Sequence, residues 1–349
     1  MIDTKTIRIT AEILNLIAEI DEFKGAWRAL GRLKPEQLNS LKRIAIIESV
    51  GSSTRIEGSK LTDRQVQILL NNLEIRQFSS RDEQEVAGYA AVMNTVFHHY
   101  EEIPLTENYI KQLHRDLLQY SEKDSWHRGA YKQHPNHVEA FDPEGHRLGI
   151  VFETTSPLNT PFEMEELMLW VQETIKQKSL HPLLITAVFI VLFLAIHPFQ
   201  DGNGRLSRVL TIYLLLTFGY SYVPYSSLES VIENNKESYY LSLRQTQGSL
   251  KSVETNWLPW ISFFLKAIHQ QKRNLEIKAE REIRILSQLP DLSANILELV
   301  KSRGRATIRD IVILTGANRN TIKKHLEGLV RSGDLLKNGK GKGTWYTSG

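Results

Sequence analysis

The longest apolar run of the sequence, residues 183–196, constrains the fold more than any other segment. It contains no charged side chain and only one hydroxyl residue, Thr186. The run is shorter than the roughly 20 residues that a bilayer-spanning helix needs. A helix that is apolar on all of its faces must be covered on every side by other elements. We therefore expect residues 183–196 to form the central buried helix of a globular domain.

The rest of the body also has a helical pattern. Strand signals are scarce before residue 290, whereas apolar residues recur at three- and four-residue spacing. This spacing is found in residues 41–50, 64–73, 83–100, 107–120, 164–178, 206–218 and 257–286. Residues 1–20 carry acidic side chains among their apolar positions, which predicts a first amphipathic helix rather than a signal peptide. The expected fold class is mainly α, with a bundle of about eight to ten helices.

One segment, residues 126–161, interrupts the helical pattern. It is rich in glycine and proline and is too long for an ordinary connection between helices. Connections of that length are usually functional or disordered. Val138 and residues 148–152 flank the turn-forming residues 142–145. This arrangement predicts a small β-hairpin, a flap near residues 136–157 that covers a site.

Composition excludes several classes of function. The 349 residues include no cysteine, which excludes disulfides, thiolate metal sites and a thiol nucleophile, and favours a cytoplasmic location. We expect no membrane association, because no apolar run is long enough to span a bilayer.

Charge is spread unevenly along the chain. Residues 290–349 contain eleven Lys and Arg against five Asp and Glu, whereas residues 1–289 contain 32 Lys and Arg against 35 Asp and Glu. The tail is therefore electrostatically distinct from the body.

Residues 290–349 also differ from the body in their pattern. Helical segments at 293–301, 308–314 and 318–331 precede a glycine-rich hairpin at 335–346. Three helices and a hairpin are typical of a winged helix-turn-helix domain. Such domains bind DNA or proteins, and both alternatives remain open. The basic side chains of the third helix and the wing that could meet a DNA backbone are Arg319, Lys323, Lys324, Lys340 and Lys342.

The motif richest in chemistry follows the central apolar run directly. Residues 197–208 read His-Pro-Phe-Gln-Asp-Gly-Asn-Gly-Arg-Leu-Ser-Arg, and a new helix is expected from about Leu206. Gly202 and Gly204 allow backbone angles that leave free amides beside the positive end of this helix, an arrangement that binds phosphate. Arg205 and Arg208 are three residues apart, so both side chains are expected to reach the same anion.

Other side chains of the motif add proton transfer and cation binding. His197 can accept a proton near neutral pH, and Asp201 offers the hard carboxylate oxygen that Mg²⁺ prefers. Phe199 is expected to anchor the loop in the core. A base, a cation site and an anion site together predict transfer of a phosphorus-containing group to a hydroxyl. Glycines that only turn the chain are the alternative, but the complete set of positions favours function.

This motif resembles the signature of Fic-domain proteins, His-x-Phe-x-Asp/Glu-Gly-Asn-Gly-Arg-x-x-Arg, at every fixed position, and the likeness extends over about residues 40–270. The resemblance implies a Fic-type helical bundle that transfers AMP from ATP to a Ser, Thr or Tyr hydroxyl of a target protein. It implies that His197 is the general base and Asp201 the Mg²⁺ ligand. Self-modification and a homodimer are further implications. The implied nucleotide-binding segment is Asp201, Gly202, Asn203, Gly204, Arg205, Leu206, Ser207 and Arg208.

A second feature that resembles the Fic family lies upstream. Residues 53–58, Ser-Thr-Arg-Ile-Glu-Gly, match the inhibitory pattern Ser/Thr-x-x-x-Glu-Gly/Asn. Ser53 and Glu57 are four residues apart and share one face of a helix. In the family, such a glutamate pairs with the second arginine of the motif, here Arg208, and prevents productive binding of the γ-phosphate. The resemblance implies autoinhibition, and the same carboxylate is a candidate to orient water for removal of AMP.

The resemblance implies two further sets of contacts. Tyr239 and Tyr240 match the helix that lines the nucleotide pocket, where a ring can stack on a base, although paired tyrosines also pack in cores. The flap would align a target backbone by strand addition. Its candidate residues are Val138, Val151, Phe152, Glu153 and Thr154. The sequence departs from the family before the flap, where the usual Gly-x-Tyr-Arg ends in Lys132.

The predicted organisation has three parts. They are an N-terminal helical region at 1–110 with the inhibitory helix near 41–58, a catalytic core at 111–289, and the winged helix-turn-helix domain at 290–349. The leading hypothesis is an autoinhibited protein AMP transferase that uses ATP and Mg²⁺. The alternatives are a DNA-binding regulator whose body senses a nucleotide, and a Fic-like enzyme that transfers a phosphate. The intact His197 favours an enzyme, because nucleotide binding alone needs no base.

Overall fold

The computed structural model describes residues 2–29, 35–72, 78–141, 147–287 and 290–349. The chain divides into two compact units. The first consists of Met1–Trp27 and Ile46–Lys272, and the second of Arg28–Ala45 and Arg273–Gly349. None of the described helices is both long and apolar enough to cross a membrane.

Helices form most of the described residues, as the sequence predicts. Those before residue 290 are α1 (Ala11–Ala29), α2 (Pro35–Ile56), α3 (Asp63–Asn71), α4 (Arg81–His99), α5 (Glu107–Leu117), α6 (Thr160–Gln177), α7 (Pro182–Ile196), α8 (Asn203–Thr217), α9 (Leu228–Asn234), α10 (Lys236–Gln247) and α11 (Leu258–Ser287). The only strands described in this part are β1 (Val138–Phe141) and β2 (Arg147–Phe152). The mainly α class with one small hairpin is therefore confirmed.

Helix α7 is the central buried helix that the apolar run predicts. All of its residues except Pro182 and Leu192 are buried, and it packs between α6 and α8. Pro182 occupies the first turn, where a missing N–H costs nothing, and His181 caps the helix by accepting the Leu183 N–H. The helix ends at His197, which has a left-handed φ of 53°. The motif loop thus leaves a helix that is buried along nearly its whole length.

The first helix begins later than the sequence predicts. An amphipathic helix over residues 1–20 is wrong in its start, because α1 begins at Ala11. The Thr10 hydroxyl accepts the Ile13 N–H at 3.2 Å, and the Thr10 carbonyl accepts the Leu14 N–H at 3.0 Å. Threonine is a preferred N-cap because its oxygen satisfies an amide of the first turn. This cap sets the start of the helix.

The flap is an antiparallel hairpin of β1 and β2. Val138 is opposite Phe152 and Ala140 is opposite Gly149, with irregular register between these pairs. The predicted turn at residues 142–145 lies outside the described residues.

The C-terminal part has the pattern of a winged helix-turn-helix domain. Its elements are α12 (Asp291–Arg303), β3 (Ala306–Thr307), α13 (Ile308–Thr315), α14 (Arg319–Arg331), β4 (Leu335–Asn338) and β5 (Trp345–Ser348). Strand β5 lies between β3 and β4, and all pairings are antiparallel. Ile296, Ile311, Ile322 and Leu326 belong to one buried apolar cluster, so the three helices share a core.

Candidate functional site

A cavity of about 580 Å³ brings the motif loop, the flap and α10 together. The predicted site residues that line it are Glu57, Val138, Val151, Phe152, His197, Asp201, Gly202, Asn203, Gly204, Arg205, Tyr239 and Tyr240. The lining residues that sequence reasoning missed are Asn136, His137, Leu194, Gln200, Leu243, Arg244 and Gln247. They have ordinary loop or helix-face positions, so no local pattern marks them. The predicted residues Ser53, Leu206, Ser207, Arg208, Glu153 and Thr154 are not in this lining.

His197 is held in a state that can accept a proton. Its Nδ1 lies 3.2 Å from the Leu194 carbonyl oxygen. A carbonyl oxygen only accepts, so this contact places the ring proton on Nδ1 and leaves the Nε2 lone pair free. Burial of the ring lowers its pKa from 6.5 to about 4, because burial disfavours the charged form. The neutral imidazole is the dominant form at neutral pH.

Asn203 and Asn136 fix the shape of the loop. Asn203 Oδ1 accepts the Phe199 N–H at 2.9 Å, and its Nδ2 donates to the Phe199 carbonyl at 2.6 Å. Asn136 Nδ2 donates to the same carbonyl at 2.6 Å and to the His197 carbonyl at 3.2 Å. Phe199 is fully buried and stacks on His114 with ring centroids 3.8 Å apart. The loop is therefore rigid, which fixes the position of His197.

Glycine is required where the loop enters α8. Gly202 is the N-cap and has a φ of 81°, a left-handed conformation that other residues adopt only with strain. His114 supports this turn: its Nδ1 accepts the Gly129 N–H at 2.9 Å, so its Nε2 carries the proton and donates to the Asp201 carbonyl at 2.9 Å. The first residues of α8, Asn203 and Gly204, line the cavity, and the free amides of a helix N-terminus are suited to anions.

Asp201 is an ionised carboxylate at the cavity wall. Burial alone would raise its pKa, but Arg205, the Gly202 amide and Arg81 hold the pKa below its usual value. Its Oδ2 accepts from Nη2 of Arg81 and of Arg205, each at 3.0 Å, while its side chain stays 40% exposed. Mg²⁺ commonly uses one carboxylate together with substrate phosphates and water. The described residues contain no group of three or more His, Cys, Asp or Glu side chains that could hold a metal ion.

The two motif arginines contact different carboxylates. Arg205 is 2% exposed and lies 3.1 Å from Glu85 as well as 3.0 Å from Asp201. Arg208 is 3% exposed and donates to Glu57 and Ser53. In this structure Arg205 pairs with Asp201 and with Glu85 of α4, whereas Arg208 pairs with Glu57, the residue after α2.

Glu57 occupies the space beside the N-terminus of α8. Its Oε1 accepts from Arg208 Nη2 at 2.7 Å, and Arg208 also donates to the Ser53 hydroxyl at 2.8 Å and the Ser53 carbonyl at 2.9 Å. Burial alone would lower the pKa of Arg208, but the Glu57 carboxylate raises it above its usual value. A Cβ built on Gly204 would lie only 2.2 Å from Glu57 Oε1. The carboxylate therefore lies against the segment expected to bind phosphate.

A second set of contacts fastens the end of α2, and sequence reasoning missed it. Arg55 donates to both carboxylate oxygens of Glu233 at 2.6 and 2.9 Å and to Asp63 at 2.8 Å. Lys236 Nζ donates to the Ile56 carbonyl at 2.7 Å. We call these contacts of Arg55 and Lys236 the α2 latch. No spacing along the chain links Arg55 to Glu233, so only the fold brings them together.

Lys132 connects the flap to the motif loop. Its Nζ donates to Asn136 at 2.8 Å, to Thr154 at 3.1 Å and to the Ile196 carbonyl at 2.9 Å. Burial lowers its pKa to about 8. Thr154 follows β2, and Ile196 precedes His197. Lysine at this position therefore joins the base of the flap to the residue before the candidate base.

The remaining predicted residues have mixed environments. Tyr239 is 3% exposed and packs on Trp260, whereas Tyr240 is 38% exposed at the cavity. Leu206 is buried, and Ser207 donates to the Gly204 carbonyl at 2.7 Å. Arg319, Lys323, Lys324 and Lys340 are exposed. The side chain of Lys342 lies outside the described part of the chain.

Comparison with known proteins identifies two regions of the chain. Residues 104–215 match the Fic/DOC family, a range that contains the whole motif loop and the flap. Residues 284–346 match a family described as "Bacterial protein of unknown function (DUF977)". The second match covers the three helices of the C-terminal part, β3, β4 and the first half of β5.

Curated relatives carry the same family name. The protein adenylyltransferase Fic of Drosophila virilis is 24% identical over 315 residues, which cover 84% of this chain and 59% of the relative. That of Drosophila mojavensis is 27% identical over 218 residues, which cover 60% of this chain and 40% of the relative. The chain thus spans between 40% and 59% of the length of these two relatives.

Solved structures show the same fold. A Fic family protein from Desulfovibrio desulfuricans superposes with a TM-score of 0.64 at 23% identity and covers 99% of this chain and 98% of its own. A Fic domain containing signaling protein from Bacteroides thetaiotaomicron gives a TM-score of 0.60 at 25% identity, with 77% of this chain and 97% of its own covered. The family match at residues 104–215 contains both the motif loop and the flap, so this part of the chain is a Fic domain.

Proposed function

We propose that this protein transfers AMP from ATP to a Ser, Thr or Tyr hydroxyl of a target protein, and that Glu57 restrains the reaction. One observation carries the proposal. His197, held through its Nδ1 by the Leu194 carbonyl, lines the same cavity as Asp201 and the N-terminus of α8. A base, a carboxylate and an anion-binding helix end are the groups that phosphoryl-centre chemistry requires.

In the proposed reaction, His197 Nε2 removes the proton from the target hydroxyl. The hydroxyl oxygen forms a bond to the α-phosphorus of ATP, and the bond from that phosphorus to the β-phosphate bridging oxygen breaks. Pyrophosphate leaves, and AMP stays on the target. Asp201 would hold Mg²⁺, which neutralises phosphate charge when it is bound. The amides at Gly202 and Gly204 orient the phosphates, and Arg208 becomes available to the outer phosphates once Glu57 leaves it.

The flap gives the target hydroxyl a defined approach. Val138, Val151 and Phe152 line the cavity opposite the motif loop, and Lys132 fastens the end of the flap to the residue before His197. A target segment that pairs with a flap strand would bring one of its hydroxyls to His197 in a fixed register. The same reaction would modify a second copy of this protein if a surface hydroxyl of that copy fits the cavity.

Restraint by Glu57 rests on its contact with Arg208. In this state Arg208 donates to the Ser53 hydroxyl, the Ser53 carbonyl and the Glu57 carboxylate, and these contacts compete with a phosphate for the guanidinium. The Glu57 carboxylate beside Gly204 also repels an anion at the start of α8. The same carboxylate would orient a water for removal of AMP from the modified target.

Labelling with ATP tagged at the α- or the γ-phosphate tests this proposal. We expect α-label on protein, at least about tenfold more with Glu57→Gly, and a loss of at least about 100-fold with His197→Ala, the usual contribution of a general base. Glu57→Gln keeps the size of the side chain and separates charge from volume. Transfer of γ-label would replace the proposal with phosphate transfer, and label that survives His197→Ala would remove this histidine as the base.

A second proposed role concerns the C-terminal part. Arg319, Lys323 and Lys324 are exposed on α14, while Ile322 and Leu326 of the same helix are buried. An exposed basic face on the third helix of a winged helix-turn-helix pattern is the arrangement that meets a DNA backbone. We propose that this helix brings the enzyme to duplex DNA, with protein binding as the alternative.

A further inference from the structure

A second and larger cavity of about 990 Å³ adjoins the site in the first unit. His137, Phe152 and Gln247 line both cavities, so the second is a continuation of the first. It extends past the end of the flap towards the N-terminal segment, α6 and the residues before α11. We call it the target groove. No part of the reaction proposed above uses it.

The target groove has an apolar floor and an acidic rim. Phe152, Leu192 and Trp257 contribute apolar surface. Among its described lining residues, the carboxylates of Asp3, Glu153, Glu163 and Glu166 stand against a single lysine, Lys251. A concave surface with one predominant charge attracts ligands of the opposite charge. The lining therefore favours a cationic occupant and disfavours a second nucleotide or another polyanion.

The junction of the two cavities carries an unsatisfied polar atom. His137 Nδ1 is buried and has no hydrogen-bond partner among the described residues. Buried polar atoms normally have a partner, so this ring has unused hydrogen-bonding capacity. Because His137 lines both cavities, its ring stands where a peptide chain, with an N–H and a carbonyl at regular spacing, would pass from one cavity to the other.

We propose that the target groove binds an extended, lysine- or arginine-rich segment of the target protein next to the hydroxyl that is modified. The inference rests on the proposed function, because that hydroxyl must reach His197 in the adjoining cavity. Basic side chains pair with the rim, and their aliphatic stems cover the apolar floor. The groove, rather than the flap alone, thus selects targets by charge.

Binding of two tagged peptides to the full chain without ATP tests the proposal. Both are short and unstructured with one serine, which is flanked by lysines in the first peptide and by glutamates in the second. We expect the lysine peptide to bind at least about tenfold more tightly to the wild type, with affinity that falls as salt is raised. Glu153→Lys/Glu166→Lys should weaken this binding by about tenfold.

A matched control comes from the same helix. Glu165 and Glu173 are exposed on α6 outside the groove, so Glu165→Lys/Glu173→Lys makes the same charge change and should leave the affinity within about twofold. Equal binding of the two peptides, or equal loss in the two double variants, would overturn the proposal. Since binding needs no ATP, a failure of AMP transfer in the labelling assay remains distinguishable from a failure of the groove.

Discussion

Oε1 of Glu57 lies 2.7 Å from Nη2 of Arg208, across 151 positions of sequence. This contact joins the residue that follows α2 to the last residue of the motif, which lies in α8. Arg208 is buried and Glu57 is 33% exposed at its side chain, so the arginine is the fixed partner and the glutamate is the one that can leave. In the proposed function, departure of Glu57 frees the guanidinium without any change in α8.

Gly204→Ala tests whether Glu57 occupies this position in solution. The new Cβ would meet Glu57 Oε1 at 2.2 Å, and displacing the carboxylate from Arg208 should cost about 1–3 kcal/mol of unfolding free energy. With Glu57→Gly present, the obstacle is gone, and alanine in a helix should stabilise by about 0.5–1 kcal/mol. Denaturant unfolding of the wild type, Gly204→Ala, Glu57→Gly and the double variant measures whether the effect of Gly204→Ala on unfolding free energy changes from destabilising to stabilising. An equal effect of Gly204→Ala in both backgrounds would contradict the contact.

The α2 latch predicts activation without any change in the catalytic cavity. Glu233→Gln weakens the ion pair between Glu233 and Arg55, whose side chains are each only about a quarter exposed. A loss of about 1 kcal/mol in the stability of the restrained state, in which Glu57 contacts Arg208, should raise transfer of the α-label to protein about fivefold. Glu237→Gln, an exposed carboxylate on the next helix, should leave transfer unchanged. If the latch matters only through Glu57, Glu233→Gln should add nothing to Glu57→Gly, and additive activation would argue against this route.

The arrangement of the candidate site could be predicted from the sequence where it is local. The buried helix, the two glycines and the motif residues lie within one continuous stretch, and the fixed order of His197, Asp201 and Gly202 sets their arrangement. Ser53 and Glu57 were predicted only through the family likeness. The α2 latch, the Lys132 contacts and the target groove join segments far apart in sequence, so packing alone brings them together. The start of α1 was missed because the Thr10 cap outweighs apolar spacing.

Charge reversal on α14 tests the proposed role of the C-terminal part. Lys323→Glu/Lys324→Glu should weaken binding of the full chain to a mixed-sequence duplex at low salt. The slope of log affinity against log salt should fall by about 2, one for each lost phosphate contact. Arg303→Glu/Arg305→Glu makes the same charge change outside α14 and should have a smaller effect. Equal losses in the two variants would indicate a general charge effect, and no binding by the wild type would favour protein recognition.

The pH dependence of transfer follows from the state of His197. Only the neutral ring can accept the hydroxyl proton, and burial lowers its pKa to about 4. In the Glu57→Gly protein, kcat/KM should therefore persist as pH falls through 6.5 and decline only near pH 4.

The lowered pKa of His197 also makes folding less favourable as pH falls through this window, because the unfolded chain binds a proton near pH 6.5 that folded His197 does not. Circular dichroism at each pH must separate loss of fold from loss of the base. A decline centred near pH 6.5 in a protein that is still folded would show that the ring is solvated and that the Leu194 contact does not hold it neutral.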